Sequence, residues 1–329
     1  MKRLLITYFG CMAAAFLLPV LIGTGQFSSK NSSVHPQKNS VLPQEINIYF
    51  ADEKKTGLIN FEEYIIGVLA AEMPASFEKE ALKAQAVAAR TFAYFKYREF
   101  EDNQTALPKQ HPDAALCTDP LHCVAYYSYD ALLQKHGKEW TDKNYKKIIA
   151  CVEETEGEIM LYENEPVLAV FHSASAGGKT QSSGEVWQKQ LPYLVCADTA
   201  GEEQKKDYLT VVKVAHNEFT EKITAEFEKA SFSDDVSNWV GEISKTSAGY
   251  IKTINIGGIT IEGSKIRGIF GLKSTYFNIS FDSNNIIFTV CGFGHGVGLS
   301  QYGANYMAKC GADYKTILKN YYKGIELKK

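Results

Sequence analysis

The sequence predicts an α+β protein: helices and short antiparallel strands in a two-lobed body with a groove, behind one N-terminal transmembrane helix. Three observations predict it. Helical and strand-like patterns are mixed without a regular βαβ alternation. Residues 251–290 are rich in Ile, Thr, Phe and Gly, the mark of several short strands. Leu4 to Gly23 are twenty residues without a charge, a length of about 30 Å as helix and enough to cross a bilayer.

The elements follow in chain order. Lys2 and Arg3 precede the apolar run, so the N-terminus stays in the cytosol and the body is exported. A cleaved signal peptide is the rival reading, but no A-x-A site follows, only Gly23-Thr24-Gly25. This gives a membrane anchor over 1–23, a polar linker rich in Ser, Asn, Gln and Pro over 24–44, and a body over 45–327 with a strand-rich lobe at about 195–290. Ile46 to Phe50 reads as a strand. Phe61, Tyr64, Ile65, Val68 and Leu69 form a helical apolar stripe, and Pro74 ends that helix by Met73. A second helix runs from about 77 to 100, with Glu78 and Glu80 in its first turn. Residues 101–125 read as a loop and 144–152 as a helix. Strands are expected at 159–162 and 167–172, followed by a Gly/Ser-rich loop, and an amphipathic helix is expected near 217–229. Two helices close the chain at about 300–310 and 314–322, with Gly311 as a stop and Asp313 as an N-cap.

Composition bounds the function. The chain has 329 residues, 45% hydrophobic and 22% charged, with a net charge of −3. Without Lys2 and Arg3 the remainder stands at −5, which argues against nucleic-acid binding through phosphate neutralisation. The 19 Tyr and 18 Phe suit a core, and Tyr also suits carbohydrate grooves. Of seven cysteines, Cys11 lies in the anchor and six lie in the body. An oxidising exterior suggests disulfides, but their irregular spacing equally suits buried thiols.

Four constellations carry chemistry. Glu72 ends the first helix, where unpaired carbonyls and the neighbouring Met73 raise a carboxyl pKa and favour a proton donor. A solvated helix end is the bland alternative. On the second helix Lys83, Arg90, Tyr94 and Tyr97 share a face, either beside Glu72 or as solvated charges. Phe171 to Gly178, followed by Ser183-Gly184-Glu185-Val186-Trp187, is a strand leading into a hydroxyl-rich loop that suits sugar oxygens. A Ser–His nucleophile pair is conceivable there, but chain neighbours on a strand face opposite ways and no G-x-S-x-G elbow exists. Gly292 to Gly303 spaces four glycines at alternate positions around His295, and it lacks the G-K-[ST] ending of a phosphate loop. His111, Cys117, His122 and Cys123 offer two imidazoles and two thiols, a full tetrahedral zinc set, or else incidental thiols. Four protein ligands leave no open position, so a zinc ion held there is structural, and no H-E-x-x-H exists for a zinc hydrolase.

Three stretches resemble the stage II sporulation protein D family: Glu72 to Phe77 with Ala81 to Thr91, Phe171 to Gly178 with Val186-Trp187, and Gly294 to Ala304. The resemblance covers about 45–327 and includes the anchor. It implies a peptidoglycan lytic transglycosylase acting in engulfment during sporulation, which cuts the MurNAc–GlcNAc β-1,4 bond and leaves a 1,6-anhydro end. It puts the catalytic glutamate at Glu72 and the helical arginine at Arg90. Substrate-binding, groove-lining roles are expected for Lys83, Gln85, Arg90, Tyr94, His172, Ser173, Ser175, His295, Gln301 and Tyr302. The zinc set at His111, Cys117, His122 and Cys123 resembles that of some clostridial members. The implied partners are glycan strands, a sporulation amidase/endopeptidase and a polytopic membrane scaffold, with the enzyme body on the outer face of the mother-cell membrane. The same domain also resembles amidase enhancers, which makes a non-catalytic glycan-binding role the alternative.

Overall fold

A computed structural model of the chain describes residues 42–102, 108–187 and 189–329. The expected anchor at 1–23 and most of the linker lie outside these residues. Among the described residues no helix is long and apolar enough to cross a membrane.

The body is mixed α+β. A hairpin of β1 (Glu45–Phe50) and β2 (Lys55–Asn60) leads into α1 (Phe61–Glu72), capped by the Asn60 carboxamide oxygen on the Glu63 N–H. After the Pro74 turn comes α2 (Lys79–Asp102). The short β3 (Leu116–Cys117) then lies parallel to β1. Helices α3 (Tyr129–His136) and α4 (Lys138–Glu153) precede three short strands, β4 (Ile159–Tyr162), β5 (Glu165–Pro166) and β6 (Phe171–His172). The five-residue α5 (Ser183–Trp187) follows.

The next stretch builds two small antiparallel sheets. It contains β7 (Leu209–Ala215), α6 (His216–Glu226), β8 (Val240–Lys245), β9 (Ile251–Ile256), β10 (Ile259–Glu262), α7 (Gly263–Phe270), β11 (Phe277–Phe281) and β12 (Asn285–Cys291). The strand orders are β10-β9-β8 and β11-β12-β7. The chain then returns through β13 (Leu299–Ser300), which pairs parallel to β6, into α8 (Gln301–Lys309) and α9 (Tyr314–Tyr321). It ends in β14 (Glu326–Lys328) against β4.

Two large apolar cores, with a small third cluster around Tyr250, hold these elements. The larger surrounds α2, whose Ala81, Leu82, Ala84, Ala86, Val87 and Ala88 are fully buried among α1, α4, α8 and α9. The run of alanines lets those four helices come close to one backbone. The stripe Phe61, Tyr64, Ile65, Val68 and Leu69 is buried as its spacing requires. The smaller core centres on Phe219, stacked on Phe270 at 5.1 Å and on Trp239 at 6.2 Å, with Ile254, Ile266 and Phe288 around it.

The structure departs from the expected elements in four places. The region 251–290 holds four strands but also helix α7, and α3 sits where no element was expected. The strand at 167–172 pairs only at Phe171 and His172, because the Val170 N–H turns back to the Leu168 carbonyl. The helix over 144–152 begins six residues earlier, at Lys138.

Candidate functional site

A cleft of about 1320 Å³ runs between the two cores, with Glu72 in its wall. Glu72 is the last residue of α1, and Met73 turns extended directly after it. The carboxylate is held at both oxygens. Oε1 accepts the Ala125 N–H at 3.1 Å, and Oε2 accepts Gln301 Nε2 at 3.1 Å. The residue opens to the cleft, but its carboxylate is stripped of water. That desolvation raises its pKa, while the hydrogen bonds from Gln301 and Ala125 partly offset the rise. A carboxyl so placed holds a proton closer to neutrality than a surface glutamate does.

Both hydrogen bonds come from distant chain. Gln301 opens α8, whose first turn is capped by Ser300 Oγ on the Gly303 N–H. Ala125 lies just after the Cys/His loop. The next residue, Tyr126, stacks on Tyr64 at 5.9 Å and packs on Gly67 of α1. A Cβ on Gly67 would stand 2.1 Å from the Tyr126 ring, so glycine is what lets this loop reach Glu72.

Beside that loop, His111, Cys117, His122 and Cys123 bring their donor atoms within 4.8 Å of one another. The pair distances are 3.2 Å for His111 Nε2 to His122 Nδ1 and 3.5 Å for Cys117 Sγ to His122 Nδ1. Cys123 Sγ lies 3.4 Å from His111 Nε2 and 3.3 Å from His122 Nδ1. A zinc ion with bonds of about 2.1 Å to nitrogen and about 2.3 Å to sulfur needs tetrahedral edges of about 3.3–3.8 Å, so the donor set fits. His111 Nδ1 donates to the Ala114 carbonyl at 2.8 Å, which leaves Nε2 free to ligate. Mutual hydrogen bonding of the two thiols pushes the Cys117 pKa down and the Cys123 pKa up. All six cysteines of the body are free thiols.

The Gly-rich loops form the opposite wall. His172 is buried, donates from Nδ1 to the Val297 carbonyl, and accepts Ser175 Oγ–H at 2.7 Å. Burial pushes its pKa down to about 4, so it is neutral. His295 accepts the Val297 N–H at Nδ1 and donates from Nε2 to the Phe171 carbonyl at 3.0 Å. Burial, aided by His172 and Arg267, pushes its pKa well below the usual range. Both imidazoles spend their nitrogens on backbone and hydroxyl partners, which suits bracing of the loops. Gly298 has a φ of +72°, and a Cβ there would stand 2.1 Å from the Val170 carbonyl oxygen, so only glycine lets this loop lie on its neighbour.

The expected site residues therefore divide. Glu72, His172, Ser173, His295, Gln301 and Tyr302 line the cleft. Lys83, Gln85, Arg90, Tyr94 and Ser175 do not. Lys83 pairs with Glu80 at 2.8 Å and Glu154 at 2.5 Å. Arg90 is fully buried and holds Glu62 with two bonds of 2.8 and 2.7 Å, and it also donates to the Val152 and Glu158 carbonyls. Gln85 and Ser175 are fully buried, and Tyr94 is nearly so. The cleft also takes residues absent from that set, among them Trp187, whose ring lies 5.3 Å from His295, and Trp140, stacked on His136 at 3.9 Å. Trp187 stands in the Val186-Trp187 pair that carries the resemblance, whereas for Trp140 its aromatic type is the only signal the sequence carried. Glu185 also faces the cleft. Burial alone would raise its pKa, but hydrogen bonds from Ser247 and Ser182 bring it below the ordinary value, unlike Glu72.

Comparison with known proteins decides the family. A family model described as stage II sporulation protein matches residues 49–162. The chain is 35% identical to the stage II sporulation protein D of Bacillus subtilis (strain 168), over 91% of this chain and 83% of the relative. It is 35% identical to the protein of that name from Bacillus amyloliquefaciens, over 87% of this chain and 79% of the relative. The chain belongs to the stage II sporulation protein D family. As a member of that sporulation family it is also similar, at 29% identity over 79% of its length and 40% of the relative, to a Bacillus subtilis protein named amidase enhancer.

Proposed function

We propose that this member of the stage II sporulation protein D family is a peptidoglycan lytic transglycosylase with Glu72 as its single acid and base. The observation that carries the reading is the desolvated, doubly hydrogen-bonded carboxyl of Glu72 in the wall of a cleft large enough for several sugars. Glu72 gives its proton to the glycosidic oxygen, and the bond from that oxygen to the muramyl C1 breaks. The C6 hydroxyl of the same sugar bonds to C1 and returns its proton to the Glu72 carboxylate. The products are a free 4-hydroxyl and a 1,6-anhydro-muramyl end. An internal nucleophile replaces the second carboxylate of ordinary glycosidases, because its effective concentration is very high, about 10⁵ M or more when aligned.

His111, Cys117, His122 and Cys123 would hold a zinc ion. Bound there, zinc would supply structure, tying the loop that presents the Ala125 N–H to Glu72. Anchored by its N-terminal helix in the mother-cell membrane, the body would meet the septal wall beside a sporulation amidase/endopeptidase and a polytopic membrane scaffold. A second reading, favoured by the similarity to the relative named amidase enhancer, is glycan binding without cleavage. Incubation of purified peptide-free glycan strands with wild type and Glu72→Gln, read by mass spectrometry, separates the two. Anhydro-muramyl ends should appear with wild type and vanish with the variant. Intact strands in the presence of bound wild-type protein would leave the binding reading.

A further inference from the structure

Lys205 stands half-buried in the same cleft, just after the turn at Glu202–Gln204. Its Nζ lies 5.0 Å from the centre of the Phe293 ring and 5.8 Å from that of Tyr302. Lys273 Nζ lies over the same Phe293 ring, at 5.6 Å. Asp207, two residues on, pairs with Lys273 at 3.7 Å. Among the described residues no carboxylate lies within 4.0 Å of Lys205 Nζ. Burial and the charge of Lys273 push its pKa below the ordinary value, and the more distant Asp207 carboxylate offsets this only in part, so the ammonium is held where its charge is costly. Aromatic faces attract a cation but leave its N–H donors unbonded. Local cost with ring faces but no hydrogen-bond acceptor on the ammonium marks a place prepared for a ligand. The location fits a substrate: Tyr302 follows Gln301, which touches Glu72.

A muramyl glycan has one acidic group on its sugars, the lactyl carboxyl. It is a free carboxylate on a bare strand and an amide where a stem peptide is attached, and the peptide then supplies the acid groups. We propose that Lys205, backed by Lys273, is a specificity-determining residue that binds a substrate carboxylate beside Glu72. This rests on the muramyl-glycan reading of the cleft but not on cleavage.

The test is binding by the full chain in detergent carrying Glu72→Gln, so that strands stay intact. The probes are labelled peptide-free strands, the same strands with lactyl carboxylates converted to primary amides, and peptide-bearing strands. The free-acid strands should bind about tenfold more tightly than the amides, the scale of one charge-assisted hydrogen bond. Adding Lys205→Met should bring both to the weaker value with an unchanged melting temperature, and Lys205→Arg should keep the preference. A Lys205-dependent preference for peptide-bearing strands over both bare forms supports the site and assigns the carboxylate to the peptide. Equal binding of acid and amide strands, without a preference for peptide, overturns the proposal alone. Failure to bind any strand overturns the glycan reading with it.

Discussion

Gln301 Nε2 reaches Glu72 Oε2 at 3.1 Å across 229 residues of sequence, so the first residue of α8 controls the acid at the end of α1. The hydrogen bond favours the carboxylate and opposes the desolvation that raises its pKa. The proposed reaction begins with protonated Glu72, so activity falls as pH rises through that pKa. Gln301→Ala removes the donor and should move the alkaline limb of the pH–rate profile on glycan strands upward, with lower kcat from poorer positioning. A limb that stays in place while kcat falls would mean that Gln301 only packs.

Zinc can be tested at Cys117. Purified wild type should carry about one zinc per chain, and Cys117→Ser should lower metal content and melting temperature together. Chelator treatment should shift the wild type toward the melting temperature of the variant. The Ala125 N–H comes from the adjoining loop, so residual activity should fall as well. Wild type without zinc, melting as before after chelation, would remove the metal.

Arg90 is the clearest case of a residue whose surroundings change its reading. Its guanidinium is fully buried, with the Glu62 carboxylate across two hydrogen bonds and carbonyls from α4 and the turn before β4 around it. Arg90→Ala leaves Glu62 without its partner and should cost about 3 kcal/mol of stability by urea unfolding. Arg90→Lys should recover only part of this, because an ammonium cannot match the forked pair. KM for glycan strands at low temperature should stay near wild type. Unchanged stability with a raised KM would return Arg90 to the substrate.

These residues show what was legible in the sequence. Helical spacing showed which side of α1 is apolar, and the buried Phe61, Tyr64, Ile65, Val68 and Leu69 follow from it, whereas α2 is buried almost all round between Ala81 and Tyr94, Arg90 included. Spacing also grouped Lys83 with Arg90 and Tyr94, but a shared face does not name its partner. Glu62 and Glu154 lie elsewhere in the chain and took the two cations away from the cleft. α7 was hidden because Ile266, Ile269 and Phe270 have strand-forming side chains. Its core contacts and the left-handed cap at Gly271, φ +67°, decide for helix. Glu72 was legible because its helix end is local. Its Ala125 and Gln301 partners, like the partners of Lys205, exist only after long-range folding.

Glu202 was absent from the sequence reading, and the structure makes it the joint of the two Gly-rich loops. Its carboxylate accepts the Ser175 N–H, Thr199 Oγ1 and Ser300 Oγ, and Ser300 in turn caps the helix that carries Gln301. Burial pushes its pKa up to about 7 against an ordinary 4.5, with the three hydrogen bonds holding it from rising further. The folded protein therefore binds a proton there more tightly than the unfolded chain. Stability from this group is present in full below about pH 4.5 and declines as pH rises toward about 7. Glu72 shifts in the same direction, so the measurement belongs in a Glu72→Gln background. There Glu202→Gln, which keeps an acceptor oxygen without the charge, should flatten the fall in unfolding free energy between about pH 5 and about pH 8. Glu202→Ala should lose about 1–3 kcal/mol across the range, because it strands buried donors. If the Glu202→Gln slope equals that of its parent, the carboxyl is ionised throughout, and the joint is held by a permanent charge.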